Sequence, residues 1–578
     1  MLWQTDISYE FGPFRVDMRE RRLLRDGQVV PLRPKVFDVL LVLVQNGGRF
    51  LSKEELIKRV WRDTVVEEGN LARNISTLRN ALGERPSEAK FIETVPWQGY
   101  RFVAAVKELT DEPARRSINS LAVLPFVNIA GDPDLDYLAD GIAEAIINHL
   151  SQLPQLKVLS RNSTFRYKGR ESETSVIRRE LNAEAVLVGR VVKHHELLSI
   201  SVELVDARDE SHIWGGQYIR EPSDLFTLQH TMAQEITNKL RVKLTAKDQM
   251  RLGRRHTDST EAYQFYLKGR YYFNKLNFES LQKGIEYYQQ AIERDPGFAL
   301  AYAALADSFN YLAQPADAKL AVSRALELDE TLGAAHATRG FFRWIYDWDF
   351  VGAEKDFGEA IDLNPNYAQA HHWSALYLAN IGRQAEAAAE ARKAVELDPL
   401  SLLMNMTLGL TAYLARDYER AIKELQNIIE MDSTFVAAHS VLGNVYLQHG
   451  QFDNAMAAYE RVLELSKGIA PVEMSIKALI AHAYAKAGKR AKAKMLLNEL
   501  LATDEKKEDP AARPGLSPHF VAEIYGALRR KDEAFAWLNK AYDEHDAQIV
   551  SLKVNPTLDP LRSDPRFIEL VRRVGLPN

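Results

Sequence analysis

No cysteine occurs anywhere in this chain, which removes disulfides, thiolate metal sites and a cysteine nucleophile at a stroke. Long apolar runs are missing as well. The longest, residues 36–44, is interrupted by Asp38 and fits a buried helix, far short of the roughly 20 residues a membrane-spanning helix needs. The opening residues, MLWQTDISYEFGPF, lack a basic stretch followed by an apolar one, so no signal peptide is expected. Neither a G-x-x-x-x-G-K-[ST] phosphate loop nor a G-x-S-x-G nucleophile turn is present. Charge of one sign is also in short supply: 74 Lys and Arg against 79 Asp and Glu leave a net charge of -5, which excludes a general polycation. These absences predict a cytoplasmic protein away from any membrane, with no enzymatic activity, no cofactor and no metal.

At one domain per roughly 100 to 200 residues, 578 residues fold as about three to five units. Charge is uneven along them. Residues 1–104 hold 17 Lys and Arg against 14 Asp and Glu, a local excess of 3 that suits a site-specific binder making few phosphate contacts. Within them, EEGNLARNISTLRNALGE (67–84) sets Leu71, Ile75, Leu78 and Leu82 at the i, i+4, i+7 recurrence of one buried helical stripe. The opposite face then carries Arg73, Ser76, Thr77 and Asn80, with Asn70 beside them. A solvated helix face is more often filled with Glu and Lys, whereas Arg, Asn, Ser and Thr are the side chains that bond base edges and phosphates in a major groove. After a short gap, FIETVPWQGYRF (91–102) reads as a two-stranded hairpin. Ile92, Thr94 and Val95 favour a strand, Gly99 is assigned the backbone conformation of a tight turn, and Tyr100-Arg101-Phe102 alternates apolar, basic, apolar. An Arg beside a turn suits a wing that touches a phosphate or the minor groove.

Taken in order, these features resemble a known family. A strand-rich stretch over 11–32, helices over 34–45 and 52–61, a loop through Val65, Val66 and Glu67, the polar-faced helix and the closing Gly99-Tyr100-Arg101-Phe102 are similar to the winged helix-turn-helix domain of the OmpR/PhoB type, in the variant of CadC-like regulators. The similarity covers about residues 9–104. It implies a DNA-binding transcription regulator in which Asn70, Arg73, Ser76, Thr77 and Asn80 face the groove, Arg79 lies near phosphates, and Trp97, Gln98 and Arg101 sit on the wing. It implies double-stranded DNA as a partner and a homodimer on repeated half-sites. Ser76-Thr77 departs from response regulators of this type, which often place an Arg pair there, so neither binding strength nor target carries over. CadC-like regulators often follow this domain with a membrane span, but here VAAVKELTDEPARRSIN (103–119) supplies none.

The winged domain is assigned to residues 1–106, and the charged, Pro-containing segment 107–119 reads as a linker. Beyond it, 120–126 forms a short strand, 137–153 an amphipathic helix and 157–161 another strand candidate. Residues 185–192 and 198–206 alternate like paired strands joined across His194-His195-Glu196, and 225–244 returns to helical period. LAVLPFVNIAGDPDLDYLADGIAEAI, SRNSTFRYKG and HIWGGQY resemble the TolB-like N-terminal domain, which some bacterial regulators and some adenylate cyclases carry. That resemblance implies a small α/β domain over 120–246 and names no ligand. Asp132, Asp134 and Asp136 lack the later Gly and distant Glu of a calcium loop and read as a helix start, while adjacent His194 and His195 point to opposite faces of a strand and make a poor metal pair.

From residue 260 the chain repeats itself. Boundary residues Asp295, Asp329, Asn364, Asp398 and Asp432 are spaced by 34, 35, 34 and 34, the period of the tetratricopeptide repeat. Small residues fall where paired helices must approach, as at Ala375, Ala387, Gly409, Ala421, Gly443 and Ala455. About eight repeats over 260–546 predict an α-solenoid whose groove binds a protein or peptide, with 547–578 capping its end. His371, His372, Trp373 and Tyr377 read either as groove lining or as inter-helix packing. The chain is thus expected to be multidomain, α+β and all-α: a winged helix domain, a small α/β domain and a tetratricopeptide solenoid. Its expected function is sequence-specific transcription regulation as a one-component protein with no phospho-receiver. The alternative is a repeat scaffold whose winged domain contacts proteins; a nucleotide cyclase has no room between the middle domain and the repeats.

Overall fold

The computed structural model describes residues 7–17, 21–61, 66, 68–85, 90–96, 98–110, 118–170, 174–195, 197–221, 224–505 and 516–577. The chain divides into two compact units, Met1–Arg116 and Ser117–Asn578.

Short alternating strands open the first unit. Ile7–Phe11, Phe14–Asp17, Arg22–Arg25 and Gln28–Val30 pair in sequence as antiparallel neighbours, and Lys107–Thr110 returns to the free edge of Ile7–Phe11. Alternation sends Phe11, Phe14, Val16 and Leu23 inward, where Phe11 stacks on Phe14 at 5.4 Å between ring centroids and meets Phe102 edge-on at 4.9 Å. Helices Pro34–Val44, Lys53–Val60 and Glu68–Leu82 share that core. Pro34 starts the first with a pre-set φ, and Ser52 caps the second by accepting from the Glu55 amide at 3.1 Å. A second sheet places Gly99–Phe102 between Phe50–Ser52 and Ile92–Val95.

In the second unit, Ser120–Val123 lies parallel to both Lys157–Val158 and Ala185–His194, and the latter continues as an antiparallel meander through Leu197–Asp206 and His212–Arg220. Helices Pro133–Ser151 and Leu225–Leu240 pack together beside this sheet. The acidic loop begins the first of them, with the Leu135 amide donating to the Asp132 carbonyl at 2.9 Å. His195 occupies the left-handed turn position between two strands, at φ 56°.

Among the described residues, eight helix pairs follow between residues 260 and 543, from Thr260–Phe273 with Phe278–Arg294 to Pro518–Ala527 with Lys531–Asp543. Their small residues are required by the large side chain of the partner helix: a Cβ on Gly443 would stand 2.4 Å from the Tyr459 ring, and one on Gly269 2.4 Å from that of Tyr288. One apolar core runs without a break from the middle sheet into the first repeats, joining Leu121, Ile142 and Met232 to Leu267, Tyr288 and Phe298. Polar locks reach further along the array. The Asn366 side-chain amide donates to the carbonyls of Ser151, Leu153 and Leu156 at 2.9, 3.0 and 2.9 Å, and fully buried Asp398 accepts from Ser163 Oγ at 2.5 Å and Asn162 Nδ2 at 3.2 Å. The end of the chain turns back on the array. Leu552, Leu558, Phe567 and Leu570 share a core with Trp344, Phe350 and Tyr377, Trp348 stacks on His545 at 4.3 Å, and Arg416 pairs with Asp559 at 2.6 Å.

His371, His372, Trp373 and Tyr377 are all buried, so of the two sequence readings inter-helix packing holds. Tyr377 donates to the Phe350 carbonyl at 2.9 Å, His371 Nδ1 lies 2.5 Å from Glu390 Oε2, and His372 Nδ1 lies 2.5 Å from Thr407 Oγ1. Burial pushes the His372 imidazole from 6.5 down to about 4. It stays neutral in the folded protein but takes up a proton readily once the chain unfolds. Its contribution is therefore intact above pH 6.5 and is lost as pH falls from 6.5 towards 4, by up to about 3 kcal/mol. Thermal melts of the chain and of His372→Gln are expected to show the variant's deficit at pH 7.5 shrinking steadily towards pH 4.5; a deficit independent of pH would contradict this account.

Candidate nucleic-acid interface

Leu71, Ile75, Leu78 and Leu82 of helix Glu68–Leu82 are buried against the first two helices of the unit, as their spacing predicts. That burial fixes what the other face presents. Asn70, Arg73, Thr77 and Asn80 follow one another at three- and four-residue steps, Ser76 flanks them, and all five are exposed. Two internal bonds steady the row: Thr77 Oγ1 donates to the Arg73 carbonyl at 2.9 Å, and Asn74 Nδ2 to the Asn70 carbonyl at 2.7 Å. The Thr77 hydroxyl oxygen and the Asn70 and Asn80 amides remain oriented outward as acceptors and donors.

Both ends of the helix are tied to the hairpin side of the unit. At the start, Lys53 Nζ pairs with Glu68 Oε2 at 2.7 Å, a hydrogen bond that holds the ammonium above its usual range, and the Lys53 amide donates to the Gln98 carbonyl at 3.2 Å. At the end, Gly83 takes φ +71°, a left-handed stop, and the Glu84 amide reaches back to the Arg79 carbonyl at 2.9 Å. Glu84, 3% exposed, then accepts from the amides of Phe91 and Ile92 at 3.2 Å each. Arg79 points the same way: its Nη2 donates to the Ile92 carbonyl at 2.7 Å and to Thr94 Oγ1 at 2.8 Å. The helix and hairpin therefore present their outer faces as one rigid surface.

Gln98 is exposed beside the hairpin turn, and Arg101, half-buried, lies 3.7 Å from Glu93 Oε2 across the two strands. Trp97 lies outside the described residues. The turn reading of Gly99 needs correcting. Its φ is not in the left-handed range and it begins the central strand Gly99–Phe102; glycine stands there because a Cβ would lie 2.1 Å from the Leu51 carbonyl oxygen on the neighbouring strand. Sequence reasoning also missed Glu84, whose signal was a lone acid directly after the helix-ending glycine. Among the described residues no group of three His, Asp or Glu could hold a metal ion, and no helix is long and apolar enough to cross a membrane.

Residues 27–102 match the family described as the C-terminal domain of transcriptional regulatory proteins. Residues 117–239, expected to be TolB-like, match the second domain of HilA/YgeH-like transcriptional regulators, and 349–401 and 406–468 match tetratricopeptide repeats. The putative adenylate cyclase 3 of Rhizobium meliloti (strain 1021) is 38% identical over 186 residues, which is 32% of this chain and 32% of that protein, so the chain spans about a third of that relative's length. The transcriptional regulator HilA of Salmonella typhi is 24% identical over 577 residues, covering 96% of this chain and 98% of that protein. The solved DNA-binding domain of Escherichia coli CadC is 30% identical and covers 17% of this chain and 94% of its own, with a TM-score of 0.16. These likenesses do not favour a scaffold. The chain carries a winged-helix DNA-binding domain of the OmpR/PhoB type and tetratricopeptide repeats, and it is a homologue of the HilA- and CadC-like transcription regulators.

Proposed function

We propose that this chain is a cytoplasmic, one-component regulator that binds specific DNA sites by laying helix Glu68–Leu82 in the major groove. The observation that carries the reading is the exposed row Asn70, Arg73, Thr77 and Asn80 above a fully buried apolar stripe, with its helix tied to the hairpin by Arg79 and Glu84. In this reading Arg73, Asn70 and Asn80 meet base edges, Ser76 and Thr77 meet base edges or phosphates, and Gln98 and Arg101 follow the backbone beside the groove. Arg79 enters chiefly as the residue that positions the wing, its guanidinium being engaged on the hairpin. Two copies bind adjacent half-sites, and the second unit receives the input and contacts partners without catalysing a reaction.

Genomic fragments bound by the purified full-length chain would supply the operator. On that operator, Arg73→Ala is expected to weaken binding about 10- to 100-fold with its melting curve unchanged, because the side chain is exposed on the outer face of the helix. Affinity of the unsubstituted chain should fall steeply as salt rises. A chain that selects no fragment, or an Arg73→Ala variant that binds every selected fragment as tightly as the original, would overturn the reading.

A further inference from the structure

A cavity of about 470 Å³ opens where helix Pro133–Ser151 of the middle domain meets the first repeats. Its walls are largely apolar and aromatic, with Tyr263, Tyr266, Leu267 and Leu300 among them, and the Tyr263 hydroxyl is already spent on Gln229 Oε1 at 2.6 Å. Its polar groups are sorted by position and sign. Lys247 and Arg251 stand on the short helix Ala246–Leu252 with exposed Met250 between them, and Arg254 follows. Deeper lie His149 and Asp307.

Among the described residues one ring nitrogen of His149 lacks a donor, and Asp307 has a single one. His149 is 8% exposed; its Nδ1 must donate to the Ala145 carbonyl at 2.8 Å, which leaves Nε2 as a buried acceptor without a partner. Burial holds the imidazole below its usual range and so neutral. Among the described residues Asp307 accepts from Thr338 Oγ1 at 2.9 Å, while Arg270, whose charge also bears on it, is committed to Glu144. An unsatisfied buried acceptor is costly, and a cavity with convergent polar groups on apolar walls is the usual form of a small-molecule site.

We infer that this cavity binds a small organic monocarboxylate with an aromatic-sized apolar body and a hydroxyl or similar donor at its inner end. The carboxylate faces Lys247 and Arg251, Arg254 being paired with Asp329 at 2.9 Å; the body lies on the tyrosines, and the donor meets His149 or Asp307. A second negative charge on the ligand is refused by the Asp307 carboxylate. Because middle domain and repeats both contribute walls, occupancy tightens the seam between them, which gives the proposed regulator its input; that consequence rests on the regulatory reading, whereas binding itself does not.

Calorimetry on the full-length chain without DNA tests the inference with three probes: 3-(4-hydroxyphenyl)propionate, 3-phenylpropionate and 4-ethylphenol. The hydroxy acid should bind about tenfold more tightly than 3-phenylpropionate, and 4-ethylphenol about tenfold more weakly than the hydroxy acid. The double variant Lys247→Gln, Arg251→Gln should lose about tenfold for both acids and nothing for 4-ethylphenol, with an unchanged melting curve. No binding by any probe below 10 mM (roughly 3 kcal/mol of affinity), equal binding of the phenol and the acids, or an unaltered double variant would overturn it. Since no DNA is present, each of these failures leaves the DNA-binding reading standing, and failure of that reading leaves this measurement unaffected.

Discussion

Gly99→Ala is expected to remove the folding transition of the first unit and, with it, all DNA binding by the chain. The added methyl would stand 2.1 Å from the Leu51 carbonyl oxygen, 2.9 Å from Ser52 Cα and 3.0 Å from the Leu51 carbonyl carbon. None of these is the mobile tip of a side chain, so only a separation of strands Phe50–Ser52 and Gly99–Phe102 relieves the clash. That separation does not stay local. Ser52 is both the register partner of Gly99 and the cap of helix Lys53–Val60, and the Lys53 amide is held by the Gln98 carbonyl. Overpacking against side chains costs about 1 to 3 kcal/mol, and against fixed backbone more, which is a large share of the roughly 5 to 15 kcal/mol that holds a small domain folded. Arg73→Ala is the control: it should weaken binding and keep the transition. A Gly99→Ala chain that melts and binds like the original would show that the strands can part at no cost.

What could be read from the amino-acid order, and what could not, follows from the range of each interaction. The stripe Leu71, Ile75, Leu78 and Leu82 repeats within one helix, so its burial and the exposure of Asn70, Arg73, Ser76, Thr77 and Asn80 were legible. The 34-residue period gave the helix pairs for the same reason, since each repeat packs first on its neighbour. Gly99 and Arg79 were harder, because what decides their roles is backbone on another strand: the Leu51 carbonyl for one, the Ile92 carbonyl for the other. Strand His212–Arg220 was hidden by Gly215 and Gly216, which break the pattern of β-formers; a Cβ on Gly216 would meet the Trp214 ring at 2.8 Å and the Tyr218 hydroxyl at 2.9 Å, so the two aromatics fill the space the glycine leaves. Asp398 looked like punctuation between repeats, and Asn366 went unread just after the Asn364-Pro365 boundary. Their partners lie more than 200 residues earlier in the chain, at Leu156 and Ser163, and no periodicity reports a contact of that range.

The seam those contacts close holds the second large effect. Glu144→Ala is expected to cost the second unit about 3 to 5 kcal/mol, the usual penalty for deleting one partner of a buried ion pair and stranding the other. Glu144 is 6% exposed on helix Pro133–Ser151; its carboxylate accepts from Arg270 Nε at 2.7 Å and Asn274 Nδ2 at 3.1 Å, and lies 3.1 Å from Arg161 Nε. Burial alone pushes the carboxyl up, but the charges of Arg270 and Arg161 and the bonds from Arg270 and Asn274 reverse this and leave it below the usual carboxylate range. It is therefore ionised at neutral pH, and the stability it contributes is present above the ordinary carboxylate pKa and lost as pH falls through the depressed value. Removing it leaves the Arg270 and Arg161 guanidiniums facing each other across a nearly closed seam between the middle domain and the first repeat. Glu144→Gln should be milder than Glu144→Ala, keeping an acceptor for one arginine while losing the charge for both. Urea titrations of the full chain can separate the two units, because the first has its own core: its transition should stay in place while that of the second moves to lower urea. If both variants left the second transition unmoved, the carboxylate would be a passenger, and the coupling of sheet to repeats would rest on apolar packing and the Asn366 and Asp398 locks alone.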